Sequence, residues 1–248
     1  MMTATAPHRT PVAEAIRTRR SIRHYRPDPI PPEQLEELLD LTLEAPSSWN
    51  YQARSVVVVS DAEGRRGLTE ATGGQPHPQE APVVLVFVAE TEAWREDLSD
   101  IYEQARRNTA WNEEFIKVFS EAGQDFQRDL EARGLLREYA VKDAMIAASF
   151  CMVAASGMGL ATSPMNGWDE SAVKKVIGID GRDDLAIALL LPVGLPAETR
   201  LHPGRRPRER NVFPQRYGAP GFGSRAPGQP RTPIDSAGNP RQEQAGTP

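Results

Sequence analysis

Three short, nearly unbroken apolar runs do most to limit the folds open to this chain. Residues 55–60 hold four consecutive valines, residues 82–89 hold Val83, Val84, Leu85, Val86, Phe87 and Val88, and residues 185–193 are almost wholly aliphatic. Runs of this length without polar alternation predict strands buried on both faces. Helical patterns surround them. Residues 12–20 read as a short helix ending in a basic cluster. Next comes a helix starting at Pro32, with Glu33, Glu36 and Glu37 at its positive end and Leu35, Leu38, Leu39 and Leu43 on one face, stopped by Pro46. Further helices are predicted at 63–72, 139–158 and 170–177, with a short strand at 160–163. The segment 139–158 is the most apolar and is rich in small residues that permit close helix approach, so it is the candidate central helix. Few strands among many helices predict an α+β chain in which helices cover a mixed sheet, not a sandwich or a barrel.

Residues 94–136 are polar, charged and free of proline, and they read as a helical excursion over the core with weak points at Asn108 and Gly123. Residues 219–248 contain six prolines and five glycines, with only Phe222 and Ile234 as sizeable apolar side chains, too few to offset the entropy of ordering them. The expected organisation is a flexible N-terminus (1–11), one folded domain (12–217) and a flexible tail (218–248). The first 27 residues are Arg-rich with one acid, Glu14, but residues 12–26 have a better use than as a transit peptide.

Composition removes several classes of function. Twenty-nine basic against 34 acidic residues give a formal charge of −5, so no global attraction to nucleic acid or an anionic membrane is expected. The longest apolar run, around 147–155, is about half a bilayer span. A single cysteine, Cys151, excludes an intramolecular disulfide and suits a reducing cytoplasm. Four scattered histidines, His8, His24, His77 and His202, offer no zinc spacing, and no metal is expected. A nucleophile elbow and a Walker loop are missing. Gly221, Gly223 and Ala226 fit a loose dinucleotide pattern but follow no strand. An enzyme built from these residues would draw its chemistry from a bound cofactor.

Two segments remain. Arg19-Arg20-Ser21-Ile22-Arg23-His24-Tyr25 sets three guanidiniums and a hydroxyl at a helix end. Guanidinium forks match phosphate oxygens two at a time, although a solvated basic patch has the same composition. Ala45-Pro46-Ser47-Ser48-Trp49-Asn50-Tyr51-Gln52 is a polar loop leading straight into a strand, a place where a rigid sheet fixes ligand donors. It also has the composition of an ordinary turn.

In this order and spacing, and with Arg205-Arg206-Pro207 after the last strand, the two segments resemble the nitroreductase family of FMN-dependent NAD(P)H oxidoreductases over about residues 12–215. The resemblance implies a three-layer αβα fold, with a mainly antiparallel mixed sheet around a long central helix, and an intertwined homodimer with FMN at the interface. It implies that Arg19, Arg20 and Ser21 hold the flavin phosphate and ribityl end and that Arg23 faces the pyrimidine edge. Pro46, Ser47, Ser48 and Asn50 match the loop given by the neighbouring subunit. A backbone N–H of Asn166 or Gly167, within Pro164-Met165-Asn166-Gly167-Trp168, is implied at N5, and Arg205 and Arg206 at the phosphate. The excursion falls where the family varies its lid, which leaves Trp111, Phe115 and Phe119 as walls of an acceptor pocket or as plain helix packing. The implied activity is ping-pong reduction of nitroaromatics, quinones or a related small electrophile by NAD(P)H. Its rivals are flavin destruction, reductive dehalogenation, or binding of FMN or another phosphorylated ligand without catalysis. The chain departs from the family at Gln52-Ala53-Arg54, where many relatives have Gln-Pro-Trp.

Overall fold

The computed structural model describes residues 10–220 and divides after Leu201 into two compact units. The flexible ends expected at 1–11 and 218–248 lie almost wholly outside the described residues.

In the first unit the apolar runs become β1 (Arg54–Val59), β2 (Val83–Glu90) and β4 (Leu185–Gly194), joined by a two-residue β3 (Ala161–Thr162). The strand order is β1-β2-β4-β3 and every ladder is antiparallel. Val57 faces Val86, and Val86 faces Leu190. The mixed character comes from one parallel bridge, Ser21 to Thr162.

β2 and β4 are covered on both faces, as expected of unbroken aliphatic runs. β1 is not. It is an edge strand, and Ser55 and Val58 are exposed. Its four valines reflect the fit of β-branched side chains to a pleated surface, which an edge strand offers as well as a central one.

The helices are α1 (Val12–Thr18), α2 (Pro32–Leu43), α3 (Ala62–Ala71), α4 (His77–Glu80), α5 (Ser99–Arg107), α6 (Glu113–Ala132), α7 (Leu136–Gly157) and α8 (Glu170–Val176). α2 and α7 pack on one face of the sheet, where Leu38, Ala144, Ala147, Ala148 and Cys151 meet Leu85, Phe87 and Leu191. α3 and α8 pack on the other, where Leu68 and Val173 meet Val84, Val86 and Leu190. The result is three layers, αβα. Small residues along α7 let it lie close to the sheet, and truncating a fully buried leucine such as Leu85 costs about 2–5 kcal/mol.

The excursion is two helices. α5 is capped at Asn108, and Asn112 starts α6 by accepting from the Phe115 N–H at 2.8 Å. Gly123, expected to weaken the helix, instead sits buried inside α6. The same side-chain logic starts α3, where Asp61 accepts from Gly64, and α8, where Asp169 accepts from Ala172.

The second unit is described over 202–220. It contains a short turn of helix, Arg208–Arg210, and a Phe213–Tyr217 ring contact at 4.9 Å.

Candidate functional site

The basic segment begins where α1 stops. Arg20 Nη1 donates to the Arg17 and Arg19 carbonyls at 2.8 and 2.9 Å, placing a cation at the negative end of the helix. Its Nε is buried without a partner. Ser21 then pairs with Thr162, and the Ile22 N–H donates to the Thr162 carbonyl at 3.2 Å. This contact joins the basic segment to β3, which runs on into Ser163–Gly167, far along the chain. The Thr162 hydroxyl is buried and unpartnered. Asn166 and Gly167 are exposed, and no described residue accepts from their backbone N–H groups. Neither Arg20 nor Arg23 has a carboxylate within ion-pair distance among the described residues. Arg20 and Arg23, without an ion pair among the described residues, and the unused N–H donors of Asn166 and Gly167 are the groups here that suit an anion.

The other side of the segment is fastened to the stretch after β4. Tyr25 bridges to Pro196, and its hydroxyl donates to the Pro192 carbonyl at 3.2 Å. Burial pushes that phenol far above its ordinary value. Glu198 Oε1 accepts from the Arg23 and His24 N–H groups at 2.8 and 3.3 Å and pairs with Arg200 Nε at 2.8 Å. The Arg200 bond, and then the Arg23 N–H, hold this carboxyl at about 2. His24 Nδ1 lies 2.9 Å from Glu80. Burial, and then the Arg23 charge, lower the pKa of the enclosed His77.

The serine-asparagine loop lies elsewhere. Pro46 and Ser48 are exposed, and Ser47 and Asn50 are half-buried. The Ser48 N–H donates to both Asp143 carboxylate oxygens at 3.3 and 3.2 Å, and the Gln52 N–H donates to Ser47 Oγ at 2.9 Å. Trp49, Asn50 and Gln52 hold φ values of 55°, 49° and 50°. Left-handed backbone costs a non-glycine residue about 1–2 kcal/mol, so the corner needs restraints from outside itself. Arg54 is one of them. Buried, it donates from Nη2 to the Leu43 and Ala45 carbonyls at the end of α2, while its Nε and Nη1 have no partner among the described residues. Asp143 is raised above the usual carboxylate range by burial, against the Ser48 N–H and the Arg54 charge.

The two clusters are fastened at separate points along α7. Ser48 is held at Asp143, whereas α1 is held at Ser156, whose hydroxyl donates to the Ala15 carbonyl. Thirteen helical residues separate these anchors by about 20 Å.

The lid aromatics join the loop, not the basic corner. Trp111 lies 4.8 Å from Phe119 and 5.4 Å from Phe115, Phe115 lies 5.3 Å from Phe119, and Phe119 lies 4.9 Å from Trp49. Arg205 and Arg206 belong to the second unit and are exposed there, with Arg205 Nη1 donating to the Gly204 carbonyl.

Sequence reasoning missed Thr162, Asp143 and Glu198. Asp143 had a signal, an acid inside the most apolar helix; Thr162 and Glu198 had none.

The fold is a three-layer αβα arrangement in which the basic segment pairs with the strand leading into an open Asn-Gly segment. The family model of the nitroreductase family matches residues 16–195, and the chain belongs to that family. A Thermus thermophilus protein named NADH dehydrogenase is 36% identical over 215 residues, covering 86% of this chain and 99% of that one. Among solved structures, a nitroreductase-like protein of Streptococcus mutans matches with TM-score 0.71 at 22% identity, covering 81% of this chain and 96% of that one. An Exiguobacterium sibiricum chain of the same type, solved in complex with FMN, matches with TM-score 0.73 at 24% identity over 83% and 96%.

Proposed function

We propose that residues 12–217 form an FMN-dependent NAD(P)H oxidoreductase that reduces nitroaromatics, quinones or a related small electrophile. The observation that carries this reading is the Ser21–Thr162 pairing, which joins the segment of Arg20 and Arg23 to one with unused N–H donors. The residues fit the group: the buried, unpartnered Arg20 Nε and Thr162 hydroxyl are polar atoms in need of a ligand or a rearrangement. FMN, when bound, supplies a two-electron carrier that takes hydride from NAD(P)H and passes it to an acceptor in a ping-pong cycle.

The chain's own part is binding and electrostatics. Arg19, Arg20 and Ser21 hold the phosphate and ribityl end. Arg23 would stand at the pyrimidine edge, a fixed cation that would stabilise negative charge there without reorganising. The backbone N–H of Asn166 or Gly167 would donate to the flavin's N5. Ser47, Ser48 and Asn50 serve the flavin of a second copy, which accounts for the distance between the two clusters in one chain. The dimer is supported by an apolar stripe left open on the long helix, where Ile146 and Phe150 are exposed, and by exposed Val12 and Ile16 on α1. Trp111, Phe115 and Phe119 form the acceptor wall. Cys151 stays a buried thiol, pushed up to about 11, suited to a reducing compartment and to no catalytic part.

Anaerobic stopped-flow mixing with NADH or NADPH tests the reading. Bleaching of the flavin band within seconds is expected, and a bound flavin that neither nucleotide reduces would leave a binding protein in its place.

A further inference from the structure

We propose that Gly123 is a positioning residue: by admitting Tyr51 and Trp49 against α6, it joins the strained Ser47–Gln52 corner to the wall Trp111–Phe115–Phe119 and so fixes the width of the acceptor slot. The inference rests on the oxidoreductase reading for its effect on acceptors, but its structural half stands alone.

Three observations meet at this point. The corner holds three left-handed residues without a glycine and requires an external clamp. Gly123 lies buried in the middle of a 20-residue helix, a place where glycine is unfavourable relative to alanine. A Cβ there would meet the Tyr51 hydroxyl oxygen at 2.6 Å and the Trp49 ring at 3.1 and 3.3 Å, so the missing side chain is the space into which the corner fits. Around this contact the rings form a continuous path. Tyr102 lies 6.4 Å from Trp111, Trp111 lies 4.8 Å from Phe119, Phe119 lies 4.9 Å from Trp49, Trp49 lies 6.0 Å from Phe126 and Phe126 lies 5.7 Å from Tyr139. The path runs from α5 through α6 and the corner to α7. Tyr51 is buried, and burial first, with Tyr102 and Tyr139 adding to it and Arg128 opposing, raises its phenol to about 12, so it remains an uncharged spacer near neutral pH. Because the corner and the wall touch through packed rings, a shift of one displaces the other.

The test compares the parent, Gly123→Ala, and Gly123→Ala combined with Tyr51→Phe, which removes the atom of closest approach. Two readouts are taken: the melting temperature of flavin-free protein, and the ratio of kcat/KM for menadione, a two-ring quinone, to that for single-ring p-benzoquinone. Helix propensity alone predicts that Gly123→Ala melts higher. The clamp predicts that it melts lower, that the ratio changes at least fivefold, and that Tyr51→Phe restores at least half of both effects. A melting temperature equal to or above the parent's, or an unchanged ratio in a flavin-loaded variant, overturns the proposal. If Gly123→Ala does not fold, Trp49→Leu takes its place, with the same change of ratio expected and an unchanged ratio decisive against it. A parent that binds no flavin counts against the oxidoreductase reading alone, and the melting comparison still decides the clamp.

Discussion

Glu198→Gln separates the charge of the carboxylate from its shape. Glu198 Oε1 receives the Arg23 and His24 N–H groups and the Arg200 Nε, and its side chain is only 20% exposed. Glutamine keeps an acceptor oxygen and loses the charge. A charged hydrogen bond contributes about 1.5–3 kcal/mol when well made, and an exposed ion pair about 0.2–1 kcal/mol. One good N–H contact, one long one and a pair with a half-exposed arginine therefore amount to about 2 kcal/mol. For a domain of about 200 residues that is a fall of about 4–8 °C in Tm. The pH dependence has a definite sign. The fold lowers this carboxyl from 4.5 to about 2, so its ionised form stabilises the native state above pH 4.5, and that contribution is lost as the pH falls through 2. Urea unfolding of flavin-free parent and variant should differ by about 2 kcal/mol at pH 7 and by about half of that at pH 3.5. Equal stability at pH 7, or a gap that does not narrow with acid, would refute the reasoning. Since Glu198 also holds the Arg23 backbone N–H, the variant is expected to bind FMN more weakly than the parent.

Arg20→Ala should weaken FMN binding about tenfold to a hundredfold, the loss of one charged hydrogen-bonding partner, while leaving the far-ultraviolet spectrum unchanged; fluorescence titration with free FMN measures it. Ile146→Asp with Phe150→Asp should convert a dimer into a monomer that no longer retains flavin, because the serine-asparagine loop then has no second copy to serve; sedimentation velocity and absorbance read both effects.

The layers of the fold were legible because each depends on local pattern. The aliphatic runs around Val86 and Leu190 read as interior strands, and the alanines of α7 as a surface for close approach to a sheet. The place of β1 at the edge was not legible, since four valines read the same whether one face is covered or two. Within the site, the two motifs were readable as short clusters of arginine, serine and asparagine. What they touch was not. Glu198 is an ordinary surface acid until the chain brings it 2.8 Å from the Arg23 N–H, and Thr162 is an ordinary strand residue until Ser21 pairs with it. Arg54 reads as a lost aromatic ring in sequence, whereas in space it is the hydrogen-bonding cap of α2. Gly123 looked like a break because glycine is a weak helix former; packing against Tyr51 reverses that reading.

The most direct trial of the account is the flavin content of the protein at its solution mass. A yellow dimer carrying one FMN per chain, released together with loss of the dimer, is the predicted result. A colourless monomer that takes up no added FMN would contradict the assignment of the basic corner and of the loop that completes it.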